Sequence, residues 1–126
     1  MKHKNTYWII GGLLNLFTAM IHLMGGQLTL IDPLLKSGLE AQVKTELLGV
    51  WHTVTVILFL STYVLIKNGI GRSNPAQITA INNWGWIYLL SGLAFIGVSL
   101  LHWVFAPQWV LLIPIGIFCL LGVREH

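Results

Sequence analysis

Residues 47–66 have the sequence LLGVWHTVTVILFLSTYVLI, a stretch without lysine, arginine, aspartate or glutamate. A helix needs about 20 apolar residues to cross the hydrocarbon core of a bilayer. This stretch therefore predicts a membrane-spanning helix. It also contains one ionisable side chain, His52, near its beginning.

The rest of the chain has the same character. Of its 126 residues, 56% are hydrophobic and 9% are charged, and the mean hydropathy is +0.77. A soluble domain has about 25% charged residues, so the composition is that of a membrane protein. Four apolar segments predict four spanning helices, at about 7–24, 47–66, 84–106 and 109–123. The expected fold class is all-α, with residues 1–126 forming a single four-transmembrane-helix bundle.

Two connections carry helix-start signals. In the first, Asp32-Pro33 resembles an N-cap followed by a proline at the first helical position. The apolar residues after it recur every four positions, which predicts a short amphipathic helix lying on the outer surface, with a solvated connector as the alternative. In the second, Asn74-Pro75 with Gln77 has the pattern of a capping box, so the third helix is expected to begin there and to end before Pro107.

The basic residues predict the orientation. Five of the seven lie at the two termini and in the second connection, which share one side of a four-span protein: Lys2, Lys4, Lys67, Arg72 and Arg124. The positive-inside rule makes that side the cytoplasm, so both termini are expected inside. The net charge of only +3, with no basic run, argues against a nucleic-acid partner. The single cysteine, Cys119, excludes an internal disulfide and a CxxC redox pair.

Three histidines lie inside the apolar segments, where an ionisable side chain costs a few kcal/mol at least. His22 and His102 precede the outer ends of the first and third helices, and His52 follows the outer start of the second. At 1.5 Å per residue, each is expected roughly 8–9 Å inside the outer boundary. Three helices of alternating direction would thus bring an imidazole to one level.

Each histidine also ends a polar stripe at helical spacing. Asn15, Thr18 and His22 form the first stripe. The other two consist of His52, Thr55, Phe59 and Thr62, and of Tyr88, Ser91, Phe95, Ser99 and His102. Polar side chains of spanning helices face the bundle interior because lipid offers them no partner. The three imidazoles are therefore expected to face one another.

Three histidines with one open position are the ligand set of a catalytic zinc site, and copper or iron could use it too. The leading hypothesis is a metal site of His22, His52 and His102 in a polar cavity near the extracytoplasmic face. It would belong to a membrane metalloenzyme that acts on a lipid or another hydrophobic small molecule. Asp32 and Glu46, at the mouth of the cavity, are the candidate catalytic carboxylates.

Three alternatives stay open. The chain could be a non-enzymatic membrane subunit whose histidines bind neighbouring helices. It could be a small transporter whose histidines bind ligand or proton. Haem held by two of the histidines is a further possibility. In size and hydropathy layout the chain resembles the small four-helix inner-membrane proteins of the DoxX-like type, which implies a bacterial inner membrane with membrane lipid as a partner.

Overall fold

The computed structural model describes residues 4–125, and within this range all regular structure is helical. Lys2 lies outside the described residues. The chain begins with α1, which is followed by two π-helical segments and a short α2; α3, α4 and α5 come after them. The bounds are Thr6–Met20 for α1, Ile21–Gly25 and Gln27–Ile31 for the π-helical segments, Asp32–Lys36 for α2, Ala41–Ile70 for α3, Pro75–His102 for α4 and Trp109–Val123 for α5.

Three helices are long and apolar enough to cross a membrane: the continuous helix Thr6–Lys36, α3 and α4. The all-helical class and the membrane character expected from the sequence are confirmed to this extent. The apolar α5 has 15 residues and contains Pro114. Its length is only about 22 Å, whereas the hydrocarbon core is about 30 Å thick.

The prediction of a separate amphipathic helix in the first connection is wrong. Asp32 keeps α-helical dihedral angles, with φ −60° and ψ −44°, so α2 continues the first helix instead of starting a new one. The π-helical segments before it shift the backbone hydrogen bonds, with the amides of Gly26 and Asp32 donating to the carbonyls of Ile21 and Gln27. Residues 37–40 then break the helix, and the remainder of the predicted segment forms the first turns of α3.

The capping box at the start of α4 is confirmed. The side chain of Asn74 accepts from the Gln77 amide at 2.9 Å, and the Gln77 side chain accepts from the Asn74 amide at 2.8 Å. The helix ends at His102, four residues earlier than predicted, because Trp103 adopts a left-handed conformation with φ 53°. Ser99 completes this end: its carbonyl accepts from the amides of residues 103 and 104, and its hydroxyl accepts from the Ala106 amide at 3.0 Å.

The buried core occupies only one half of the bundle. Helix α1 packs against α3 and α5, and α5 also packs against α4. Helices α3 and α4 have little contact with each other. We call the segments 5–19, 57–70, 75–92 and 112–123 the closed half. Its buried apolar side chains are Trp8, Ala19, Leu58, Leu65, Ile81, Tyr88, Ile115 and Cys119.

The remaining segments, 20–56 and 93–111, form the open half. Ile31 is its one buried residue, and every other side chain there is half-buried or exposed. All three histidines of the apolar segments belong to this half. The helices are therefore less tightly packed in the half where the sequence placed the site.

Candidate functional site

His22 is bound to the neighbouring helix. It lies on the π-helical segment Ile21–Gly25, and its Nε2 is 3.2 Å from the carbonyl oxygen of Trp51 on α3. Because a carbonyl oxygen only accepts, Nε2 carries the proton in this contact. The imidazole also stacks on the Trp51 indole, with 3.7 Å between ring centroids and an angle of 16° between planes. Gly26 makes room for that indole, since a Cβ there would clash with it.

His52 and His102 differ from His22 in their surroundings. Both are exposed, and neither side chain makes a hydrogen bond to another part of residues 4–125. His102 is the last residue of α4, whereas His52 lies well inside α3. The side chains expected to bond their rings are engaged locally: the Thr55 hydroxyl donates to the Trp51 carbonyl at 3.1 Å, and Ser99 caps α4.

The predicted histidine cluster is not supported. Among the described residues, no group of three or more histidine, cysteine, aspartate or glutamate side chains is arranged to hold a metal ion. A polar stripe faces another helix only where the two helices pack closely, and the helices of the open half do not pack closely along their whole length. Metal binding by His22, His52 and His102, and haem binding, remain predictions without an assembled ligand set.

The two candidate catalytic carboxylates are each held by an amide close to them in sequence. Asp32 Oδ1 accepts from Gln27 Nε2 at 2.7 Å, and Glu46 Oε1 accepts from Gln42 Nε2 at 2.6 Å. Asp32 is half-buried and Glu46 is exposed. Their catalytic role remains a prediction.

A buried polar cluster in the closed half was not predicted as a site. Asn15 on α1 and Ser61 on α3 are fully buried, and Tyr88 on α4 is 3% exposed. The amide of Asn15 donates to Ser61 Oγ at 2.8 Å, Ser61 Oγ and Tyr88 Oη are 2.6 Å apart, and Tyr88 donates to Asn15 Oδ1 at 3.0 Å. We call these three side chains the polar triangle.

The polar triangle joins α4 to α1 and α3, two helices with which α4 otherwise has little contact. Each member can donate to the next around the ring, and Asn15 also donates to the carbonyl of Leu58 at 3.2 Å. Ser61 and Tyr88 lie five and four residues from the ends of segments 47–66 and 84–106 that are on the side of the chain termini, and Asn15 lies eight residues from the corresponding end of segment 7–24. This comparable distance from one boundary is the sequence signal that could have found them. Asn15 and Tyr88 belong to predicted stripes, but Ser61 belongs to none, because the α3 stripe was drawn from His52.

Comparisons of the chain with models of protein families, with curated proteins and with solved structures found no match.

Proposed function

We propose that this chain is a non-enzymatic membrane subunit whose open half binds a membrane-spanning segment of a partner protein. The observation that carries the proposal is the exposed imidazole of His52. Ionisable side chains within membrane spans almost always face protein or a water-filled cavity, because lipid cannot satisfy them. A partner that covers this face of α3 would give the imidazole a hydrogen-bonding environment.

The position of His52 makes the exposure costly. α3 has 30 residues and is about 45 Å long, against a hydrocarbon core of about 30 Å. Along the axis, His52 is about 5 Å from the middle of the helix. With α3 centred in the bilayer, this imidazole lies within the hydrocarbon layer.

The neighbouring threonine shows why His52 is different. Thr53 is also exposed, but its hydroxyl donates to the Gly49 carbonyl of its own helix at 2.8 Å. A short hydroxyl side chain can satisfy itself on its own backbone in this way. The larger imidazole of His52 has no such contact within the described residues.

The local bonding of the other candidates also supports a non-enzymatic role. His22 binds Trp51 of the adjoining helix, and the two carboxylates are bonded by glutamines near them in sequence. The proposal places the chain in a bacterial inner membrane, in contact with lipid and with both termini in the cytoplasm. The excess of basic residues at the chain termini and in the connection between α3 and α4 supports that orientation.

Site-specific photo-crosslinking in native membranes tests the partner. A photoreactive amino acid replaces Val56, which is 65% exposed and one turn from His52. Leu13, 56% exposed in the closed half, is the matched control. We expect one discrete protein adduct from position 56, none from position 13, and loss of the adduct in His52→Leu. Equal labelling at both positions, or an adduct indifferent to His52→Leu, would contradict the proposal.

Metal analysis tests the enzyme alternative. The chain is purified without a tag, and its zinc, copper and iron contents and its Soret absorbance are measured. We expect neither a stoichiometric metal nor a Soret band. A stoichiometric metal that disappears in His52→Ala would overturn the subunit proposal in favour of a metal site of His22, His52 and His102.

A further inference from the structure

We infer that the end of the bundle carrying the chain termini binds the headgroup of an anionic phospholipid through Lys4, Lys67 and Arg124. The surface lies at the opposite end from the open half. The inference is therefore independent of the partner proposed above.

Three helix ends meet at this surface. The backbone amide of Asn5 donates to the Gly69 carbonyl at 2.9 Å, and its side-chain amide donates to the Gly122 carbonyl at 2.8 Å. Asn5 Oδ1 also accepts from the Trp8 amide at 3.1 Å, which caps α1. Asn5 is only 4% exposed, so this junction is a fixed part of the fold.

The junction brings basic residues from distant parts of the sequence together. Lys4 directly precedes Asn5, Lys67 lies two residues before Gly69, and Arg124 lies two residues after Gly122. All three are exposed. We call these three side chains the basic ring.

The basic ring is not neutralised within residues 4–125. None of its members forms a salt bridge with a described carboxylate. The one acidic residue near this end of the bundle, among the described residues, is Glu125. The C-terminal carbonyls of α3 and α5 carry partial negative charge, which favours the nearby cations. Partial charges of this kind compensate only a fraction of three full positive charges, so the surface favours an added anion.

The surroundings of Lys67 favour a lipid over a soluble anion. Its Nζ lies 5.3 Å from the ring centroid of Tyr63, which is 59% exposed on the flank of α3 one turn deeper. Tyrosine rings concentrate at the membrane–water interface, and lysine ammonium groups extend to the same level. With Tyr63 at that interface, the ammonium of Lys67 would lie at the depth of phospholipid phosphates.

The test measures binding of short-chain phosphatidylglycerol to the purified full chain in a neutral detergent, by native mass spectrometry. Short-chain phosphatidylcholine and inorganic phosphate are the comparison ligands. We expect saturable binding of phosphatidylglycerol, in preference to both. Each of Lys67→Gln and Arg124→Gln is expected to weaken it about five-fold, since one basic residue near an anionic surface contributes about that factor.

Lys36→Gln is the matched control, because Lys36 is an exposed lysine at the other end of the first helix. It should leave phosphatidylglycerol binding unchanged. If Lys36→Gln weakened phosphatidylglycerol binding equally, binding would depend only on the net charge of the protein, and the inference would be overturned. Binding of inorganic phosphate as tight as that of the lipid, or no preference over phosphatidylcholine, would overturn it as well. Helical circular dichroism confirms that each variant is folded.

Discussion

Asn15, Ser61 and Tyr88 show what polar side chains contribute inside this bundle. Each comes from a different helix, and the three bond one another at 2.6–3.0 Å without exposure to the surroundings. Hydrogen bonds between membrane helices contribute on average about 0.6 kcal/mol, but a buried group left without a partner costs about 1–3 kcal/mol. The triangle therefore matters mainly because breaking it is unfavourable.

Tyr88→Phe should destabilise the protein by about 1–2 kcal/mol, because it leaves Asn15 Oδ1 buried without its donor. The measurement is reversible unfolding in mixed detergent micelles, followed by tryptophan fluorescence. Tyr63→Phe is the control, since Tyr63 is exposed and keeps its ring under Lys67. Equal stability of the two variants would show that the triangle does not hold α4 in place.

Among the described residues, α4 and α5 form the most extensive helix–helix contact. Gly116 on α5 lies against Gly85 and Leu89 on α4, and a Cβ at Gly116 would be 2.8 Å from the Gly85 carbonyl oxygen. Small residues allow membrane helices to approach closely and so to gain van der Waals contact. Gly97, further along α4 in the open half, has no atom within 4 Å of an added Cβ. Gly116 thus lies in a close contact between two helices, whereas Gly97 faces open space.

Gly116→Ala should destabilise the bundle by about 1–3 kcal/mol, because the backbones of α4 and α5 must move apart. Gly97→Ala should be neutral or should stabilise by up to about 1 kcal/mol, since alanine is the better helix former. Both variants are measured by the same unfolding assay. A Gly97→Ala variant that is destabilised as much as Gly116→Ala would mean that the open half is packed in the membrane.

The molecule as a whole has two unlike ends. Asn5 bonds the last turns of α3 and α5, so residues 4 and 125, the two ends of the described chain, lie at one end of the bundle. Residues 37–40 and the segment after His102 lie at the other end. Among residues 4–125 the charges divide in the same way, with four of the six basic residues at the end that carries residues 4 and 125 and three of the four acidic residues at the other.

Cysteine labelling in intact cells tests the orientation of the whole molecule. Arg72→Cys and Gly38→Cys introduce thiols at exposed positions at opposite ends, and the native Cys119 is fully buried. A membrane-impermeant maleimide should label position 38 in intact cells, and position 72 only after permeabilisation. The reverse result would place the termini outside the cell and invert the orientation.

Much of the candidate site could not be predicted from the sequence, for a specific reason. The polar stripe of α1 was placed correctly, because Asn15 and Thr18 are buried. The other stripes are buried only at Thr62 and Tyr88, near their inner ends, and become exposed toward His52 and His102. Helical periodicity tells which residues share a face of one helix. It contains no information on how far that face stays in contact with another helix.

By itself, the sequence determined the helical class, the membrane character, the capped start of α4 and the separation of charge between the two ends. These follow from composition, periodicity and local hydrogen bonding, which act within one segment of chain. Only the tertiary structure decided that His22 stacks on Trp51, that the three histidines do not form a group, and that Asn15, Ser61 and Tyr88 do. Such contacts depend on the angles at which helices cross, and those angles are set by close packing at residues such as Gly26 and Gly116.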